Sequence, residues 1–145
     1  MIRIVPLGAL CALLTFAGVQ AAVPSIVGTW YEEAHYGGSE IISILQINPD
    51  GTYTSTHRQC LKRGHVDDRD DGRWEYDGKT LRLATRNVDG TADGYVNEYR
   101  TDSIDDRIWV YVGVAGPGFR HFGPVRFRDV RVTKDSKVPD CGLMS

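Results

Sequence analysis

Cysteine, helical periodicity and concentrated charge are all scarce in this sequence. Only Cys11, Cys60 and Cys141 occur in 145 residues, and no Cys-x-x-Cys pair is among them. After Pro24 no stretch repeats apolar residues every 3.6 positions over three turns, which excludes a helical bundle or an alternating strand-helix fold. Lys and Arg number 17 against 19 Asp and Glu, interleaved along the chain, with a formal net charge of -2. Phosphate binding needs a concentrated basic face, so nucleic acid is not an expected partner. Gly-x-Ser-x-Gly and His-Glu-x-x-His are missing too, and His35, His57, His65 and His121 are scattered. The chain is therefore not expected to be an enzyme, and no metal or other cofactor is implied.

The one long apolar run is at the start. "MIRIVPLGALCALLTFAGVQAA" has a single positive charge at Arg3, an apolar stretch to Val19 and then small residues, the layout of a secretory signal peptide. Val19-Gln20-Ala21 is the expected cleavage site, giving a leader at 1–21 and one domain at 22–145. A membrane anchor is the alternative, but the run is short for a bilayer span and no positive cluster follows it. Stable membrane insertion is thus not expected, and the chain reads as secreted and periplasmic. Loss of Arg3 takes the mature net charge from -2 to -3.

Cys11 leaves with the leader. Cys60 and Cys141 remain in an oxidising setting, where two thiols allow one disulfide. It would close a loop of about 80 residues, worth roughly 4–5 kcal/mol by chain entropy, and would fix the tail "KVPDCGLMS". Unpaired or metal-binding thiols are the other reading.

Short strand-like runs alternate with turn residues from Val27 onward. The expected strands are Val27 to Ala34, Glu40 to Asn48, Thr52 to Gln59, Arg73 to Tyr76, Thr80 to Asn87, Tyr95 to Ile104, Arg107 to Val114 and Val125 to Thr133. "NPDG", "DG", "VDG" and "DD" between them are hairpin links, which join only antiparallel neighbours. A meander of eight strands exposes two edges unless the first and last strands pair. The expected fold is therefore all-β, an eight-stranded antiparallel up-and-down barrel, with a Greek-key sandwich as the alternative. "TLRLATR" turns Leu81, Leu83 and Thr85 to one side, and "RWEY" turns Trp74 and Tyr76 inward. "RIWVYVGV" is apolar on both faces and does not declare its inner one.

Glycine stands two positions before tryptophan twice, in Gly28-Thr29-Trp30 and Gly72-Arg73-Trp74. A glycine at a strand entry permits torsions or close approaches that a Cβ blocks, and the ring that follows can plug one end of a barrel. With "PDGTY" at 49–53 and "DGKTLRL" at 77–83, these motifs resemble the lipocalin-like (calycin) group, especially its short exported bacterial members. The resemblance covers about the first 55 residues of the mature chain, and the chain has no clear Thr-Asp-Tyr motif and no evident helix after the barrel. It implies a barrel carrying a small ligand, with an arginine from near the last strand packed on Trp30; Arg126, Arg128 and Arg131 all qualify.

With the alternation held throughout, the inner surface would include Trp30, Tyr53, His57, Trp74, Tyr76, Tyr99, Trp109 and Tyr111. Such a lining suits a small amphipathic or aromatic molecule, although small barrels also pack solid. "GVAGPGFRHFGP", Gly113 to Pro124, is irregular and carries Phe119, Arg120, His121 and Phe122, as either a lid or a protein contact. The second expected function is accordingly an inhibitor or immunity-type interaction module using the 113–124 loop. "RGHVDDRDDG", Arg63 to Gly72, does not fit the spacing of a calcium loop and is expected to be a solvated loop.

Overall fold

The computed structural model describes residues 25–36, 39–86, 94–117 and 124–142. The leader at 1–21 lies outside them. The described residues form eight strands and no α-helix: β1 (Gly28–Tyr36), β2 (Ser39–Ile47), β3 (Thr52–Cys60), β4 (His65–Tyr76), β5 (Thr80–Thr85), β6 (Val96–Ile104), β7 (Ile108–Ala115) and β8 (Val125–Val132). Every strand pairs antiparallel with its neighbour in sequence, and β8 returns to β1, so the sheet closes into a barrel. The sandwich alternative is thereby excluded.

Three links at one end of the barrel use the same device. Asp50 Oδ1 accepts from the Thr52 amide at 2.9 Å. Asp77 Oδ1 accepts from the Lys79 and Thr80 amides, and Asp105 Oδ1 from the Arg107 and Ile108 amides. A carboxylate that accepts backbone N–H groups holds the tight turn and stays ionised, and for that reason Asp77 and Asp105 titrate below their ordinary range, as does Asp50, which the Thr52 hydroxyl lowers first and the Thr52 amide second.

Of the expected loop Arg63 to Gly72, only Arg63 and Gly64 belong to a turn; His65 to Gly72 is strand. Residues from His65 onward pair with β3 step by step, from Cys60 opposite His65 to Thr52 opposite Arg73. The run lacks apolar alternation because both faces of the sheet are wet there. Asp67 points outward and takes a bidentate ion pair from Arg58 at 2.7 and 2.8 Å, while Asp70 lines the barrel's open half. Strand formation here rests on backbone pairing with a long partner strand, not on an apolar stripe.

The core sits at the end closed by the three Asp turns. Trp30 and Trp109 are fully buried, their ring centroids 5.5 Å apart, with Ile26, Ile47 and Leu81 around them. Each indole N–H is satisfied, Trp30 by the Ile26 carbonyl at 2.8 Å and Trp109 by Thr101 Oγ1 at 3.1 Å. In β7 the inner face is the aromatic one, Trp109 and Tyr111, and Ile108 and Val110 face outward, half-buried. Trp74 is half-buried and donates to the Asn48 carbonyl, clamping the turn between β2 and β3.

The two Gly-x-Trp pairs have different causes. Gly28 has φ +150, and a Cβ on it would lie 2.3 Å from Nη1 of Arg131. Arg131 occupies that space, with its guanidinium 4.2 Å from the Trp30 ring centroid and its Nη atoms donating to the carbonyls of Ser25 and Val27. Of the three arginines, Arg131 is thus the one on Trp30. At Gly72 a Cβ would lie 2.0 Å from the Ala84 carbonyl oxygen, so the second glycine is needed by the neighbouring strand.

After β8 the chain runs back over the outside of the barrel. Ile42 and Ile44 alternate with inward Ser43 and Leu45, yet they are only 2% and 9% exposed. Arg58, opposite Ile42 on the same outer face, donates to the Pro139 carbonyl and to Asp140, both at 3.0 Å. The Cys60–Cys141 disulfide fastens the segment beside them. The tail is a strap over β2 and β3, and the thiols are neither free nor metal-bound.

Candidate functional site: the cup and its carboxyl floor

Above the tryptophan plug the barrel is open, with a cavity of about 340 Å³. That lies at the small end of the range for small-molecule sites. Its apolar wall comes from alternate inward positions: Ile41 and Leu45 of β2, Leu81 and Leu83 of β5, and Phe127 of β8. Tyr99, Tyr111 and Phe127 form an aromatic side. The Tyr111 and Phe127 rings are stacked with centroids 5.1 Å apart, and Tyr99 meets Tyr111 edge-on at 5.5 Å.

Tyr53, His57, Tyr99 and Tyr111, four of the eight aromatic and imidazole side chains expected inside, line this cavity. Trp30, Trp74, Tyr76 and Trp109 do not; they belong to the closed end, packed in or against the core. All eight share the inner face, but period-2 alternation assigns a face and says nothing of height along the barrel axis. Phe119, Arg120, His121 and Phe122 lie outside the described residues.

A polar cluster runs up one wall. His57 Nδ1 is 2.9 Å from Ser43 Oγ, its Nε2 is 3.0 Å from Ser55 Oγ, and the same Nε2 is 3.6 Å from Asp70 Oδ2. The Tyr95 hydroxyl also donates to Asp70 Oδ2 at 3.0 Å. These donors hold the Asp70 carboxyl below its ordinary range, His57 contributing most. The composition is that of a hydrolase triad, but Ser43 sits mid-strand with a pairing partner on either side, Glu32 and His57. Its backbone belongs to the ladder and gives no converging pair of N–H donors for an oxyanion. The cluster fixes the imidazole as part of a polar wall. Lower down, the Tyr53 hydroxyl bonds to Thr85 Oγ1, and burial pushes the Tyr53 phenol up to about 12.

Beside that cluster stand two carboxyls that the sequence did not single out, Glu32 in the register position next to Ser43 and Asp129 buried behind it, outside the cavity lining. Glu32 lines the cavity one inward step above Trp30. Asp129 is one inward step from Arg131 on β8 and only 1% exposed. β1 and β8 pair over Thr29 to Tyr31 and Val130 to Val132, and the next step of that register sets Glu32 opposite Asp129. The Tyr111 hydroxyl donates to Asp129 Oδ2 at 3.0 Å, and Oδ1 has no hydrogen-bond partner among the described residues. Burial raises the Glu32 carboxyl to about 7, only partly offset by His57. Burial and then the Glu32 charge raise Asp129 well above the carboxylate range. The signal was present in the sequence: Glu32 and Asp129 fall on the inward parity of Trp30 and Arg131. A charged residue in an edge position is ordinarily read as solvated, which hid them.

Among the described residues no cluster of three or more His, Cys, Asp or Glu is placed to hold a metal ion, and no helix is long and apolar enough to cross a membrane. No protein-family model, curated protein or solved structure matches the chain.

Proposed function

We propose that this chain is an exported, periplasmic, lipocalin-like carrier that holds one small amphipathic or aromatic molecule in its cup and performs no reaction on it. The observation that carries the reading is the 340 Å³ cavity, apolar on its walls, with an aromatic side and a few polar groups. Kinship with the lipocalin-like group is part of the proposal. It is supported by the up-and-down strand order, the Gly28-x-Trp30 entry and Arg131 seated on Trp30. Export is supported by the leader-like segment and by the Cys60–Cys141 disulfide, a bond that persists in oxidising compartments. The protein-interaction reading rests on the 113–124 loop and gains no observation, because its aromatic and charged residues lie outside the described ones.

The test is uptake of N-phenylnaphthylamine, a dye whose emission rises in apolar surroundings. Ala34 lines the cavity, so Ala34→Trp should fill the cup and abolish the rise while leaving the circular dichroism spectrum intact. Absence of dye uptake, together with an experimental structure showing a solid interior, would overturn the reading.

A further inference from the structure

Glu32 lines the cavity between the polar wall of Ser43, His57 and Asp70 and the aromatic side, and Asp129 lies buried behind it, outside the lining; this pair of acids beside the rings points to a class of ligand. We propose that the cup selects a protonated amine on an aromatic body, with the ammonium on Glu32, backed by the charge of the buried Asp129 behind it, and the flat part against Tyr99, Tyr111 and Phe127. The inference rests on the carrier reading above and narrows it.

Buried acceptors stay unsatisfied at a cost unless a donor reaches them; the Tyr111 hydroxyl and the Arg131 Nη groups are committed, and Arg131 Nε, buried beside the Trp30 ring, makes no hydrogen bond to either carboxyl among the described residues. Asp129 Oδ1 is buried and unpartnered, and Glu32 makes no hydrogen bond or ion pair among the described residues. The nearest arginine on the same inner face, Arg131, is turned away: its Nη donors go to the Ser25 and Val27 carbonyls and its plane lies on Trp30. Among the described residues the hydroxyl donor on Asp129 is that of Tyr111, which serves the other oxygen. His57 contributes to the potential at Glu32 from two strands away, but its ring nitrogens are held by Ser43 and Ser55. A ligand that brings its own N–H donors and a positive charge supplies what both carboxyls lack. A carboxylate ligand would meet two acids, and a plain hydrocarbon would leave Asp129 Oδ1 orphaned. The ring faces beside the floor also attract a cation through their quadrupoles.

Burial raises both carboxyls, and the Glu32 charge raises Asp129 further. A bound ammonium reverses that balance, so binding near neutral pH should expel a proton.

The experiment compares naphthylethylamine, naphthylethanol and naphthylacetate, cationic, neutral and anionic probes of similar shape, by isothermal titration calorimetry on the disulfide-bonded chain. At about pH 8 the amine should bind ten-fold or more tighter than the alcohol, and the acid weakest of all. At about pH 6.5, titrations in buffers of different ionisation enthalpy should show proton release with the amine and none with the alcohol. Glu32→Gln and, separately, Asp129→Asn should each erase the preference for amine over alcohol while retaining the alcohol's affinity; having two variants covers the failure of either to fold. Equal affinity for amine and alcohol, or a preference that survives both substitutions, overturns the amine assignment and leaves the carrier reading standing. Failure of all three probes while N-phenylnaphthylamine still enters does the same. Failure of the dye as well brings down the carrier reading and this inference together.

Discussion

Arg131 lies 4.2 Å from the centroid of the Trp30 ring and fills the space that a side chain on Gly28 would need. The first and last strands are thus locked together by one residue pair beside their three-residue register. A cation over an indole contributes about 0.5–2 kcal/mol, and two charged hydrogen bonds to otherwise unserved carbonyls add to it. Arg131→Met should lower unfolding stability by about 2–4 kcal/mol in urea titrations. Gly28→Ala should be costly in the parent, through its φ and the Arg131 contact, and less so in the Arg131→Met background. A double-mutant cycle with a coupling above about 0.5 kcal/mol is the expected outcome.

The strap has a reducible anchor. Cys60 and Cys141 are 81 residues apart, so opening the bond frees a long loop in the unfolded chain and should cost about 4 kcal/mol. Locally, release of the tail should uncover Ile42 and Ile44. Cys141→Ser is therefore expected to lower the melting temperature and to speed amide exchange along the outer face of β2 and β3, with the plug around Trp109 still protected. Uniform loss of protection throughout the barrel would show that the strap is not a separate unit.

The barrel was legible in the sequence because turn chemistry and alternation agree. Asp50, Asp77 and Asp105 mark three links, and Leu81 and Leu83 mark an inner face without ambiguity. β4 was legible only over Arg73 to Tyr76, since its first half carries charges on both faces and takes its conformation from the backbone of β3. Within the site, Tyr53, His57, Tyr99 and Tyr111 followed from parity. The split between plug and cup did not, because it depends on strand stagger, and Glu32 and Asp129 were masked by the ordinary expectation that carboxylates face water.

Stability should fall as pH rises through neutrality. The Glu32 carboxyl is raised from 4.5 to about 7 in the folded chain, so the native state binds more protons than the unfolded one between those values. Its contribution is fully present below about pH 4.5 and is lost as pH rises through about 7, by at most about 3 kcal/mol and less where water enters the cup. The lowered carboxyls Asp50, Asp70, Asp77 and Asp105 act in the opposite sense, but their window lies below the ordinary aspartate value and does not overlap. Urea unfolding of the parent should therefore show a decline between about pH 5 and pH 8 that Glu32→Gln reduces. Asp129, raised by burial, acts in the same sense, so a flat profile in the parent would mean that both carboxyls are solvated.

The tryptophans and the tyrosines of the interior should separate cleanly by assay. Trp30 and Trp109 are fully buried at the closed end and do not line the cavity, though Trp109 packs on Tyr111 with centroids 4.3 Å apart, whereas Tyr99 and Tyr111 line it. Trp109→Phe removes ring volume and leaves Thr101 Oγ1 without its indole donor, which should cost about 2–4 kcal/mol of stability. Affinity for N-phenylnaphthylamine should nevertheless stay within about two-fold, since the cup's wall is unchanged. Tyr99→Leu should have the opposite profile, a smaller loss of stability with a several-fold weaker dye complex, because it removes one ring of the aromatic side. Should Trp109→Phe alone weaken the dye while Tyr99→Leu leaves it untouched, the molecule would be entering from the plugged end, and the cup above the tryptophans would not be the binding site.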